Sequence, residues 1–211
     1  MSFGYIGDTS TSVKQQVKNK GILTTQESFD LERQGFLGGS LELIEEKSIS
    51  GVSSAIFTSI KENEYDVHFL EIIDFQPATD GTDCRIRFFE SGVEESASVY
   101  QFAFQFGTAG GTFQEVRDTS ESYLRATFNA GNTTNEKAHS YNYLYNLGNS
   151  SKYSFQTMQT VLTNDNTDFN MAYGGGILPQ TSAVDQIKLF NGSGNFSCTA
   201  KLYGLKQIWV T

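Results

Sequence analysis

From residue 100 to residue 106 the chain reads Tyr-Gln-Phe-Ala-Phe-Gln-Phe, with an aromatic ring at every even position and a small or polar residue at every odd one. Successive side chains of an extended strand point to opposite faces, whereas a helix would scatter the four rings around its circumference. One face of this segment is therefore wholly aromatic and has to be covered by another layer. That requirement selects folds in which sheets pack face to face.

The same period of two recurs along the chain. Leu41 and Leu43 share one face while Glu42 and Ile44 share the other. In residues 65–74, Tyr65, Val67, Phe69 and Ile73 face one way and Leu70 and Ile72 the other, the pattern of a central strand covered on both sides. Further strands are expected at 55–60, 84–89, 123–128, 141–147, 152–161, 187–190 and 196–205. Turn signals separate them at 78–81, 107–111, 129–132, the triplet Gly174-Gly175-Gly176, and Asn191-Gly192, and residues 164–170 with the glycines after them read as one long loop. With 17 Phe, 10 Tyr, 20 Gly and only 2 Pro, the composition suits pleated strands and polar turns. The expectation is an all-β fold, an antiparallel β-sandwich of jelly-roll-like type, with a closed barrel as the alternative.

The beginning of the chain reads differently. Residues 1–22 are small and polar with sparse apolar anchors, Phe3, Tyr5, Ile6, Val13, Val17 and Ile22, too few to close a core. Thr24-Thr25-Gln26-Glu27 fits a capping box, predicting a short helix that stops at Gly35, with Gly38-Gly39 as a joint. The domain reading is an N-terminal attachment arm with a short helix over 1–38 and a β-sandwich over 40–211.

Charge and motif content narrow the function. Fifteen Lys and Arg against 24 Asp and Glu, with no basic run, argue against nucleic acid as a partner. No segment approaches the length of an apolar membrane span and the first residues do not form a secretory signal, so synthesis in a cytoplasm is expected and the four Asn-x-Ser/Thr sequons read as coincidence. Cys84 and Cys198 lack metal-site spacing and read as buried small hydrophobes. His68 lies in the doubly covered segment and reads as a hydrogen-bonded core histidine, while His139 has no triad around it. Asp66, Glu71, Asp74, Glu90, Glu94 and Glu95 form a pool for glycoside hydrolysis, but no spacing selects a pair. Residues 164–168 alternate oxygen-bearing side chains like a calcium loop, then fail the motif at Phe169. No catalytic residue, metal site or cofactor is expected. Tyr141, Tyr143, Tyr145 and Tyr173 are the candidates for a receptor-facing surface in outer loops, because aromatic rings near turns stack on sugars, with core packing the competing explanation.

Three local patterns carry a family resemblance. Gly4-Tyr5-Ile6-Gly7, with Gly21-Ile22-Leu23-Thr24 and the helix expected at 27–34, resembles the N-terminal segment of virion structural proteins of tailed phages, especially marine and freshwater ones. The block Tyr65-Asp66-Val67-His68, Asp74, Pro77-Ala78-Thr79-Asp80-Gly81, Arg85-Ile86-Arg87-Phe88 and Ser91-Gly92 is similar to a recurring element of the same group. So is the ending Ile187-Lys188-Leu189-Phe190, Ser193-Gly194-Asn195-Phe196 and Leu202-Tyr203-Gly204-Leu205-Lys206, read as a closing hairpin. Gln207-Ile208-Trp209-Val210-Thr211 extends beyond the usual terminal Lys of that group.

The resemblance implies a bacteriophage virion protein, non-enzymatic, made in the host cytoplasm and located in the virion. Tail fibre or receptor-binding module, capsid decoration protein and, third, glycan depolymerase stay open as roles. Its implied partners are other virion proteins, sister copies in a homotrimer, and host cell-surface glycan, with no membrane partner. Deleting residues 1–22 is expected to leave a folded domain that is absent from particles, read by blotting purified virions; normal incorporation would rule out the arm as the anchor.

Overall fold

The computed structural model describes residues 25–26 and 41–205. Thr25 and Gln26, in the expected capping box, are described and are helical. The helix expected after them, the arm anchors Phe3, Tyr5, Ile6, Val13 and Val17, the glycine joint and the tail at 208–211 lie outside the described residues. Two compact units divide the chain, Leu43–Leu205 and a second made of residues 1–42 with 206–211, in which only Thr25, Gln26, Leu41 and Glu42 are described.

Thirteen strands follow one another: β1 Leu41–Val52, β2 Ser54–Phe57, β3 Val67–Pro77, β4 Cys84–Glu90, β5 Val93–Glu94, β6 Tyr100–Thr108, β7 Phe113–Glu121, β8 Leu124–Arg125, β9 Ala138–Tyr145, β10 Ser154–Thr163, β11 Phe169–Leu178, β12 Val184–Asn191 and β13 Phe196–Leu205. They form an antiparallel β-sandwich. The large sheet runs β1-β13-β3-β9-β10-β11-β6-β7; the small one runs β2-β12-β4-β5, with β8 also on β4.

Period-two patterning is realised throughout. Tyr100, Phe102 and Phe104 of β6 are buried while Gln101, Ala103 and Gln105 are exposed. Their rings meet the small sheet, Phe88 lying 6.2 Å from Tyr100 between centroids. The Tyr100 hydroxyl accepts the Phe88 backbone N–H at 3.0 Å and donates to the Glu95 carbonyl at 3.1 Å, so this buried phenol ties the two sheets together. Burial pushes its pKa above the ordinary tyrosine range. Cys84 and Cys198 are buried and free, on β4 and β13, and burial likewise pushes both thiols up, Cys198 to about 12.

The structure corrects several local expectations. Gly174, Gly175 and Gly176 are not a turn but the middle of β11, and only residues 164–168 make the reversal before it. Glycine is demanded there by close approach. A Cβ on Gly174 would lie 2.3 Å from the Ala103 carbonyl oxygen, one on Gly175 2.3 Å from that of Gln156, and one on Gly176 2.5 Å from Leu124 Cδ2. The turn expected at 107–111 shortens to the β6–β7 hairpin, whose second strand escaped notice because an exposed edge strand carries no apolar alternation.

The expected strand at 123–128 contracts to the two residues of β8. After them the chain runs irregularly yet buried through Ala126, Thr127, Phe128 and Ala130. Buried backbone without a ladder needs other partners. Ser140 Oγ donates to the Ala126 carbonyl at 2.7 Å, Gln156 Nε2 donates to the Arg125 carbonyl at 2.8 Å, and the Ala126 N–H donates to the Cys84 carbonyl at 2.9 Å. Gln156 Nε2 also reaches Asn142 Oδ1 at 2.8 Å, and Asn142 Nδ2 reaches Ser140 Oγ at 3.1 Å. Three polar side chains on the inner face of β9 and β10 thus hold the crossing segment.

The expected tight turn at 77–81 and the expected closing hairpin at 187–206 are both corners between sheets. Pro77 ends β3 in the large sheet and Cys84 opens β4 in the small one, and Asn191-Gly192-Ser193-Gly194-Asn195 carries the chain back from β12 to β13. The two corners are stitched to each other and to the β1 corner: the Ala78 N–H donates to the Asn195 carbonyl at 2.8 Å, and Asn195 Nδ2 donates to the Gly51 carbonyl at 2.9 Å. Ser91-Gly92 does close a hairpin, with φ of 53° and 77° as a type I′ turn requires.

His68 is fully buried on β3, its Nε2 at 2.8 Å from the Ile60 carbonyl, as a core histidine. Burial lowers its pKa from 6.5, against smaller raising contributions from the Ile60 hydrogen bond and Glu62. A histidine held neutral in the fold binds its proton more readily in the unfolded chain. Its contribution to stability is therefore intact above the unfolded pKa and declines as pH falls below about 6.5 toward the folded value. Denaturant titrations between about pH 7 and 5 are expected to show a steeper loss for the native chain than for His68→Gln. A second comparison probes the crossing segment. Gln156→Leu, which leaves the Arg125 carbonyl and Asn142 Oδ1 without this donor, is expected to cost about 1–3 kcal/mol, whereas Gln159→Leu on the opposite face of β10 changes stability by less than about 0.5 kcal/mol.

Candidate functional site

The outer face of the large sheet is where apolar surface has no second layer above it among the described residues. Side chains at the outward parity of seven strands form rows that cross the sheet through the register of their pairs. One row reads Lys201, Glu71, Tyr141, Gln159, Tyr173, Gln105 and Glu115. The next reads Tyr203, Phe69, Tyr143, Thr157, Gly175, Ala103 and Arg117. A third holds Val67, Tyr145, Phe155, Ile177 and Gln101.

The rings cluster at the β13–β3–β9 end. Phe69 lies 5.0 Å from Tyr143, 5.9 Å from Tyr203 and 6.1 Å from Tyr141 between centroids, and Tyr143 stacks on Tyr145 at 6.5 Å. These spacings are those of cross-strand aromatic pairs. Tyr173 stands apart on β11, 48% exposed, with its hydroxyl donating to Gln105 Oε1 at 2.8 Å. The Tyr141 hydroxyl donates in the same way to Gln159 Oε1. Each glutamine amide oxygen thereby accepts from a phenol, which sets the orientation of the amide. Between the ringed rows, Thr157, Gly175 and Ala103 make a low strip with almost no side chain.

A cleft of about 350 Å³ opens on the same face over β3, β9 and β10, lined by Glu71, Ile73, His139, Tyr141, Gln159 and Val161. It sits at a β-bulge. Between Ile72 and Phe75, β3 carries one residue more than β9 opposite it, and the spare Asp74 has φ of 55°. The Asp74 N–H donates to His139 Nδ1 at 3.4 Å, and the Asp74 carboxylate lies 3.6 Å from His139 Nε2. The residues flanking the extra one, Ile72 and Ile73 on β3 and His139 and Ser140 on β9, line the cleft.

Tyr141, Tyr143, Tyr145 and Tyr173, expected in outer loops, lie on strands β9 and β11 and share this one outward face. Phe69, Tyr203, Gln105 and Gln159 join them; their outward parity was readable from the alternation, but their contact with the tyrosines depends on strand order. The carboxylate pool is dispersed. Glu94 is clamped by Arg87 and Lys188 at 2.8 Å each, which holds its carboxyl below the usual range despite opposing desolvation. Glu95 accepts from the Ala97 N–H and from Gln180, and Glu90 from Ser182. Glu71 and Asp74 alone of the pool are at the cleft. In the 164–168 reversal Asn164 Oδ1 accepts the N–H groups of Asn166 and Asp168 at 3.0 and 2.8 Å, closing the turn on itself. Among the described residues no group of three metal-ligating side chains converges, and no helix is long and apolar enough to cross a membrane.

No family model and no curated protein matches the chain. Among solved structures it is aligned with a fructofuranosidase variant from Schwanniomyces occidentalis complexed with fructosylnystose, at 8% identity and a TM-score of 0.17, over 82% of this chain and 35% of that one. The chain thus spans about a third of that enzyme's length, and a likeness of this size carries no argument about fold or activity.

Proposed function

We propose that the protein is a non-enzymatic attachment module of a phage virion, tail-fibre-like, which holds neutral host-surface saccharide on the outer face of its large sheet. The observation that carries the saccharide reading is the pairing of exposed rings with phenol-oriented glutamines. Sugar rings offer apolar C–H faces for stacking and a rim of hydroxyls for hydrogen bonding, and this face offers both kinds of group side by side. The charged members of the row through Tyr141 and Tyr173, namely Lys201, Glu71 and Glu115, stand toward its ends, leaving the ring-bearing middle neutral.

The virion role is supported by the resemblance of residues 4–7, 65–92 and 187–206 to tailed-phage structural proteins. Binding without cleavage is supported by the dispersal of the carboxylates: Glu71 lines the cleft, Asp74 beside it lies against His139, and Glu90, Glu94 and Glu95 are engaged elsewhere. Attachment to the particle falls to the N-terminal arm in this reading.

The labelled full chain is expected to bind neutral glycans on an array. Tyr173→Ala should weaken that binding by about 0.5–1.5 kcal/mol, roughly 2- to 12-fold, through loss of one stacking surface. Val93→Ala, at an exposed position on the small sheet, should leave it unchanged. No glycan binding by the native chain, or equal binding by Tyr173→Ala, would sink the reading.

A further inference from the structure

One edge of the large sheet is β7, which pairs with β6 on one side and with no other strand among the described residues. Its other side therefore presents a row of unpaired backbone N–H and C=O groups, the surface on which a further strand is most readily added. An edge of this kind is ordinarily protected by charge, and β7 carries three charged residues in its exposed middle, Glu115, Arg117 and Asp118.

Their order does more than protect. Two identical strands paired antiparallel are related by a two-fold axis, and because side chains alternate between faces, the axis has to pass beside a residue for like faces to match. An axis at Glu115, Arg117 or Asp118 sets each of those charges against its own copy. An axis at Val116 sets Glu115 of one copy opposite Arg117 of the other, twice, with Gln114 opposite Asp118 and Phe113 opposite Thr119. Val116, half-buried and packed on the core, then meets Val116 on the inner face. Glu115 and Arg117 share the outward face and already lie 3.1 Å apart within one strand, with side chains 62% and 76% exposed, so the pairing closes a ring of four alternating charges.

We propose that β7 is a self-recognition edge, and that two copies join through it about a two-fold axis at Val116 into one continuous sheet of sixteen strands. The outward rows of each copy run to β7 at Glu115 and Arg117, so the ringed faces of the two copies become a single surface. The pairing stands on the edge alone and does not require that saccharide binds there. It assigns two-fold symmetry to this contact in place of the three-fold symmetry that the family resemblance implied.

The test is a charge exchange at exposed positions on the full chain, read by sedimentation. The native chain is expected to be dimeric. Glu115→Arg and Arg117→Glu each place like charges opposite one another and should weaken self-association about tenfold or more. Mixing the two variants restores opposite charges at both positions, so the mixture should re-form a dimer that neither variant forms alone. A native monomer or trimer, single variants that associate like the native chain, or a mixture that stays monomeric would each overturn the proposal. Circular dichroism of each variant confirms that the fold persists.

Discussion

The structure depends on one buried polar contact, the grip of Gln156, Ser140 and Asn142 on the backbone that crosses between the sheets. A sandwich filled only by side chains could close on apolar surface alone, but here a piece of main chain, from Arg125 to Ala130, runs inside. Its carbonyls at 125 and 126 would each forfeit water with nothing in return were the inner face of β9 and β10 wholly apolar. The three polar side chains therefore appear where the alternation would place Leu or Val. The crossing segment also accounts for one glycine of β11, since Leu124, at its head, occupies the space a side chain at 176 would need.

Much of the architecture was legible from alternation, because burial on one face imposes a period that survives in the sequence whatever the strand order. Residues 100–106 and 196–205 became strands with the expected inward sets, and His68 became a core histidine. The failures have physical causes. In β11 the need for close backbone approach replaced side chains with glycines and so erased the pattern that marks a strand. In β7 there was no buried face to impose one. The corners at 78–83 and 191–195 carry the same Gly, Asn and Asp chemistry as hairpins, and only the sheet to which each flanking strand belongs distinguishes the two.

The candidate site was half legible. Three tyrosines spaced by two at 141, 143 and 145 announce a shared face, but whether that face looks inward or outward depends on the layer above it. The exposure follows from Ser140, Asn142 and Leu144 being the residues committed to the interior. Gln105 and Gln159 acquire their role only through pairing: β11 brings Tyr173 beside Gln105, and β9 brings Tyr141 beside Gln159.

The bulge at Asp74 has a further consequence. It adds one residue to β3 without changing which residues face inward on either side, since Ile72 before it and Phe75 after it both reach the core. The cleft is thus an insertion the interior does not register. Lengthening, shortening or healing that single step would reshape the outer surface with the sandwich in phase, so this part of the surface can change independently of the core.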